Sequence, residues 1–230
     1  MNDTKQPALP PALQRMADEA VRICGDDPHR EGVPEQIVEI MREAFKDPGV
    51  CESAMEIVRE NMDLFGSNAD PGFGIMGVES NRIDYREPHD HGPCWAINVQ
   101  LKGRLRMVHW AQDFSQADAG TVTITKVSDQ VMGPGDVDYS PPGIAHELYP
   151  ETDDSVELAV RCHALTSIDV QHRYDRTSDE RIDWNWERKE AKVAGRFDTV
   201  GGDLRLLALP VPIDALVAGC LLYTSPSPRD

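Results

Sequence analysis

Two short stretches constrain this chain more than anything else in it: Pro88–Gly103, PHDHGPCWAINVQLKG, and Gly133–Pro150, GPGDVDYSPPGIAHELYP. Both mix Gly, Pro and Asp with β-branched and aromatic residues, the composition of strand–turn–strand structure. His89 and His91 are spaced i, i+2, and on a strand such residues share a face. His146 follows a Pro-Pro-Gly turn in the second stretch. Strands bearing these residues can bring three imidazole nitrogens around one ion and leave its other positions open. Asp90 and Glu147 neighbour the histidines in sequence, and alternation points both the other way, so neither is expected to be a ligand.

The surrounding text places these stretches in a barrel. Residues 10 to 66 read as helical. Leu13, Met16, Ala20, Val21 and Ile23 fall near helical spacing, with Gly25 as a stop. Pro34 suits a first helical turn, followed by Ile37, Ile40, Met41 and Phe45 on one face, and then by Met55, Ile57, Val58 and Met62. From about Gly72 the period changes to two, in GFGIMGVES, CWAINVQLKG, RLRMVHWAQ, TVTITKV and SVELAVRCHAL. The expected fold is all-β, a jelly-roll-like barrel over residues 67–175 behind an N-terminal helical region, 1–66. Residues 176–219 form a C-terminal extension that either packs on the barrel or mediates association, and the sequence leaves the choice open. With unbroken alternation through Gly92 and Pro93, His89, His91, Trp95, Ile97, Val99 and Leu101 share the face that lines the barrel. On the last strand, Arg161 and His163 share one face, and Val156, Leu158, Val160 and Cys162 the other.

The two stretches resemble the paired signature motifs of the cupin superfamily. In the first, G-x5-H-x-H-x3-4-E-x6-G, His89, His91 and Gly103 match and Ile83 stands at the first glycine. Trp95 and Ala96 occupy the places open to the glutamate. In the second, G-x5-P-x-G-x2-H-x3-N, Gly135, Pro141, Gly143 and His146 match and Pro150 replaces the asparagine. The resemblance implies the cupin double-stranded β-helix, with His89, His91 and His146 as metal ligands.

Two histidines and a carboxylate are the usual facial triad of non-haem Fe(II) oxygenases. Three neutral imidazoles leave the ion its full charge and favour an anionic co-ligand such as a thiolate. In this respect the chain resembles the thiol dioxygenases, the cysteine dioxygenase and mercaptopropionate dioxygenase group, from about Gly74 to Leu165. That resemblance implies Fe(II), O2 and a small thiol oxidised to a sulfinic acid. The family's supporting Ser-x-His-x-Tyr stretch corresponds to Arg161 to Leu165, where only His163 matches, as a candidate catalytic residue. Its cysteine–tyrosine crosslink has no counterpart, because Ala96 stands at the crosslinking position. These departures point to a cysteine dioxygenase-like branch rather than to the cysteine enzyme itself. A carboxylate-bearing thiol needs a cation, and Arg161 is the first choice, with Arg82, Arg86, Arg104 and Arg106 as alternatives. Trp95 is expected to wall the pocket, and Tyr85 or Tyr139 to bond dioxygen. His109 reads as a packing or surface histidine, and His29 and His172 are given no role. The ligands must be neutral, so metal affinity is expected to fall as pH drops through the imidazole range. The competing readings are a metal-binding cupin with another reaction, such as a non-thiol dioxygenase or an isomerase, and a non-catalytic small-ligand-binding cupin.

A net charge of −17 argues against nucleic acid and anionic membranes as partners. The longest apolar runs are too short for a membrane span, and the first twenty residues lack the apolar core of a secretory signal. The five cysteines are scattered without a CxxC pair, so the expectation is neither a disulfide framework nor a structural zinc site, and a cytoplasmic location. A homodimer is a possible assembly. Residues 220–230, CLLYTSPSPRD, resemble a translated sequencing adapter, and the native sequence is expected to differ beyond about Gly219.

Overall fold

The computed structural model describes residues 11–25, 27, 29–60, 74–114, 121–161, 170–175, 180–185, 190–200 and 203–207. Among these residues three helices come first: α1 (Pro11–Cys24), α2 (Val33–Ala44) and α3 (Pro48–Glu60). α1 ends just before Gly25, and α2 carries Pro34 in its first turn, both as the sequence predicts. Leu13, Met16, Ala20 and Ile23 of α1 are buried with Ile37, Val38 and Met41 of α2 and Ala54 and Val58 of α3. Val21 instead faces solvent. No helix among the described residues is long and apolar enough to cross a membrane.

Among the described residues twelve strands follow: β1 (Gly74–Ser80), β2 (Arg86–His89), β3 (Ala96–Lys102), β4 (Leu105–Asp113), β5 (Thr121–Met132), β6 (Val137–Ser140), β7 (Ile144–Pro150), β8 (Ser155–Arg161), β9 (Gln171–Asp175), β10 (Glu180–Asn185), β11 (Glu190–Val200) and β12 (Asp203–Leu207). They form a four-stranded sheet, β1-β8-β3-β6, and a closed barrel, β10-β11-β12-β5-β4-β7-β2-β9. All their pairings are antiparallel. The stretch beyond residue 175, whose place the sequence left open, supplies β10, β11 and β12 to the barrel.

The four-stranded sheet is sandwiched. Trp95, Ile97, Val99 and Leu101, with Val156, Leu158 and Val160 of β8, pack against the three helices as one apolar core. The opposite face carries Asn98, Gln100, Glu157 and Arg161 toward β2, β7 and β4 of the barrel. Those barrel strands also have two lined faces. Leu105, Met107, Met132 and Leu148 form a small cluster on the face toward the sheet. Val108, Trp110, Val122, Ile124, Ala145 and Tyr174 form another on the far face.

The expected unbroken alternation from His89 to Leu101 does not hold. β2 ends at His89, and a turn closed by Cys94 N–H donating to the His91 carbonyl at 3.0 Å carries the chain from the barrel into the other sheet. Gly92 takes a φ of 59°, in the left-handed region that glycine adopts without steric cost. The turn resets the phase, so Trp95, Ile97, Val99 and Leu101 face the helices and not the barrel chamber.

Candidate metal centre

His89, His146 and His109 stand directly opposite one another across β2, β7 and β4, on one face of the barrel. His91 enters the same space from the turn after β2. The Nε2 atoms of His91 and His146 are 3.1 Å apart, and those of His146 and His89 3.2 Å. His89, His91 and His146 are all buried, and each offers a ligand atom within 4.8 Å of the others. The Pro141-Pro142-Gly143 turn launches β7 so that His146 meets them, with Ile144 N–H donating to the Pro141 carbonyl at 3.1 Å and Gly143 at a φ of 80°.

The protons on these rings are constrained. His89 Nδ1 lies 2.8 Å from the Glu87 carbonyl, so it carries the hydrogen and leaves Nε2 bare. His146 Nδ1 lies 3.1 Å from Ser140 Oγ. Burial holds all three rings neutral, taking His89 down to about 3 and His91 and His146 well below the usual imidazole range. Nearby arginines push the same way: Arg173, Arg161 and Arg86 at His89, Arg161 and Arg173 at His91, and Arg161 and Arg86 at His146. The expected loss of metal affinity through the ordinary imidazole range is therefore corrected, because in the folded chain protonation is displaced to lower pH.

This donor set fits a divalent transition metal. Metal–nitrogen bonds of about 2.1 Å at right angles set nitrogens about 3.0 Å apart. The Nε2 atoms of His91, His146 and His89 stand at 3.1 to 3.2 Å, close to that spacing, and the proton held on His89 Nδ1 leaves its Nε2 lone pair aimed into the group. An all-imidazole set suits iron, zinc, copper or nickel.

The neighbours of the histidines fall where alternation put them. Asp90 turns away and binds the Gly92 and His172 N–H groups, Gln112 Nε2 at 3.0 Å and His172 Nδ1 at 2.6 Å. Glu147, also turned away, accepts from Tyr85 at 2.5 Å, Tyr149 at 2.5 Å and Trp110 at 3.0 Å.

Other expected residues are placed differently. Tyr85 spends its hydroxyl on Glu147, on the far face of β7 from His146, and stacks on Tyr149. Tyr139 pairs with Ile97 and packs into the helix-side core. Trp95 lies in that same core rather than in a pocket wall. Nearness in sequence misled for the tyrosines, because each strand residue next to an inward one points outward. Arg161 does face the histidines, on β8 beside Ala96, and burial brings its guanidinium down to about 10, which leaves it charged at neutral pH. Arg82, Arg104 and Arg106 pair with Asp153, Glu151 and Asp129 at the surface, whereas Arg86 reaches inward to Glu157. His163 lies outside the described residues.

Sequence reasoning missed four residues. Arg173 stands directly opposite His89 on β9, 3.6 Å from Glu87. His109 is buried and contacts Asp138 and Ser140 of the other sheet. A usable signal existed for His109, since it shares strand parity with the apolar Leu105 and Met107. No local pattern announced Arg173, Ser140 or Asp138.

Residues 95–170 match the family model described as JmjC domain. No curated protein matches the sequence. A sugar phosphate isomerase of a cupin superfamily from Silicibacter pomeroyi is similar, at 17% identity and a TM-score of 0.36, covering 53% of this chain and 66% of that one. E. coli ycfD is similar at 22% identity and a TM-score of 0.35, covering 50% of this chain and 30% of its own. An oxalate oxidase is similar at 17% identity and a TM-score of 0.31, covering 41% and 43%. By its facing antiparallel sheets and the histidines between them, the chain has the cupin double-stranded β-helix fold, with an N-terminal helical layer and a three-histidine group suited to a metal.

Proposed function

We propose that this chain is a non-haem Fe(II)-dependent dioxygenase of the cysteine dioxygenase-like type, oxidising a small thiol to a sulfinic acid with O2. The observation that carries the reading is the group of three buried, neutral histidines with converging Nε2 atoms and Arg161 facing them from the other sheet. Iron held by His89, His91 and His146 would supply the redox chemistry and a cationic seat for a thiolate. The reaction balances as one thiolate plus one O2 giving one sulfinate.

The chain's own groups orient and exclude. The histidines contribute no negative charge, so an anionic sulfur is favoured over a neutral donor. Arg161, with Arg173 beside His89, supplies positive charge for a substrate carboxylate. Burial of the histidines keeps bulk water from competing. His163 is assigned a hydrogen bond to the substrate or to an ordered water, and His163→Ala is expected to keep the metal and lower the rate.

The test is oxygen uptake by anaerobically Fe(II)-loaded protein offered cysteine, 3-mercaptopropionate or cysteamine, with metal counted in parallel. Uptake with one thiol at about one iron per chain is the expected result. Stoichiometric iron without uptake from any of them would discard the thiol reaction and leave a metal-binding cupin with another chemistry.

A further inference from the structure

Behind His146 runs a buried chain of polar side chains that joins the two sheets. His146 Nδ1 lies 3.1 Å from Ser140 Oγ, which lies 3.1 Å from His109 Nε2. His109 Nε2 lies 2.9 Å from Asp138 Oδ2, and Gln130 Nε2 donates to Asp138 Oδ1 at 2.5 Å. His109, Asp138, Ser140 and His146 are all buried. Asp138 and Ser140 come from β6 of the four-stranded sheet, and His109, Gln130 and His146 from β4, β5 and β7 of the barrel.

We propose that Ser140, His109 and Asp138 are positioning residues for His146, holding it in the metal-binding tautomer and placing one buried carboxylate behind a site whose ligands are all neutral. The inference rests on His146 being a metal ligand. Binding through Nε2 requires the hydrogen on Nδ1, and Ser140 Oγ is the acceptor in reach. Ser140 is held in turn by His109. The shorter contact assigns the His109 Nε2–H to Asp138, and the same N–H leans toward Ser140 Oγ. Asp138 then accepts from both His109 and Gln130, as an ionised carboxylate does. The carboxylate absent from the ligand set thus returns one step removed. A pair present only to satisfy itself in the core would need neither the register that sets His109 opposite His146 nor the shared contact to Ser140.

The experiment is Co(II) titration of the full chain, followed by visible absorption, in the wild type and in Ser140→Ala, Ser140→Thr and Asp138→Asn. Metal-free folding is checked by far-UV circular dichroism. Ser140→Ala and Asp138→Asn are expected to weaken Co(II) about 10- to 100-fold and to shift its absorption bands. Ser140→Thr keeps the hydroxyl and is expected to restore most of the affinity. If Asp138→Asn does not fold, the Ser140→Ala and Ser140→Thr pair decides. Folded variants that bind Co(II) as tightly as the wild type, with unchanged spectra, would overturn this inference alone. A wild type that binds no Co(II) would overturn the metal reading beneath it as well.

Discussion

Strands β3 and β8 present two faces on the same backbone, and the two are held by different physics. Toward the helices lie Trp95, Ile97, Val99, Leu101, Val156, Leu158 and Val160, a face stabilised by apolar area removed from water. Toward the barrel lie Asn98, Gln100, Glu157 and Arg161, a face that can be buried only because partners meet it. Gln100 reaches Ser155 Oγ at 2.8 Å, Asn98 reaches Glu157 at 3.4 Å, and Arg86 crosses from the barrel to the same carboxylate. The apolar face tolerates change in proportion to the volume lost. The polar face depends on which partner is present, and that specificity is what a ligand site uses.

The largest stability effect should come from the apolar face. Trp95→Ala is expected to cost about 3–5 kcal/mol in urea unfolding while the folded fraction keeps its metal stoichiometry. An altered thiol KM with unchanged stability would return Trp95 to a pocket wall and erase the distinction. Arg161→Met addresses the polar face. On the proposed reaction it should raise KM for 3-mercaptopropionate by roughly tenfold or more and leave cysteamine, which has no carboxylate, nearly unaffected. Equal effects on both thiols would remove Arg161 as the carboxylate partner.

Acid should attack the polar face first. Burial lowers the His89 pKa to about 3, whereas an unfolded histidine titrates near about 6.5. The unfolded state therefore binds more protons between these values, and the stability contributed by keeping His89 neutral is full above about 6.5 and lost as pH falls toward 3. Melting of the metal-free protein should drop between pH 7 and pH 4, with a shallower slope in His89→Gln. A flat profile in the wild type would contradict the burial assigned to the site. The smallest effect is expected from Tyr85→Phe, which removes one of three donors to Glu147 and should cost about 1 kcal/mol with no loss of metal. Impaired metal binding there would tie the far face of β7 to the site.

Much of this was legible in the chain because strand alternation is a local rule. It turned Glu147 away from the histidines and gave Arg161 the face opposite Val160, whereas His91 joins His89 from the turn that follows β2. The same rule failed for Trp95, where the turn around Gly92 moves the chain to another sheet and resets the count. Tyr85 and Tyr139 misled through sequence proximity. Arg173, Ser140 and Asp138 reach the site through pairings between strands distant in sequence, and no short pattern encodes such a meeting. The strands after residue 175 close the barrel by the same kind of long-range pairing.

The central claim is that His89, His91 and His146 form one metal site. The most direct measurement is metal stoichiometry after anaerobic Fe(II) loading and removal of loose ion, in the wild type and in His89→Ala, His91→Ala and His146→Ala. The account predicts about one iron per chain in the wild type and none retained in any of the three folded variants. Full retention of iron after loss of any one of these imidazoles would contradict it.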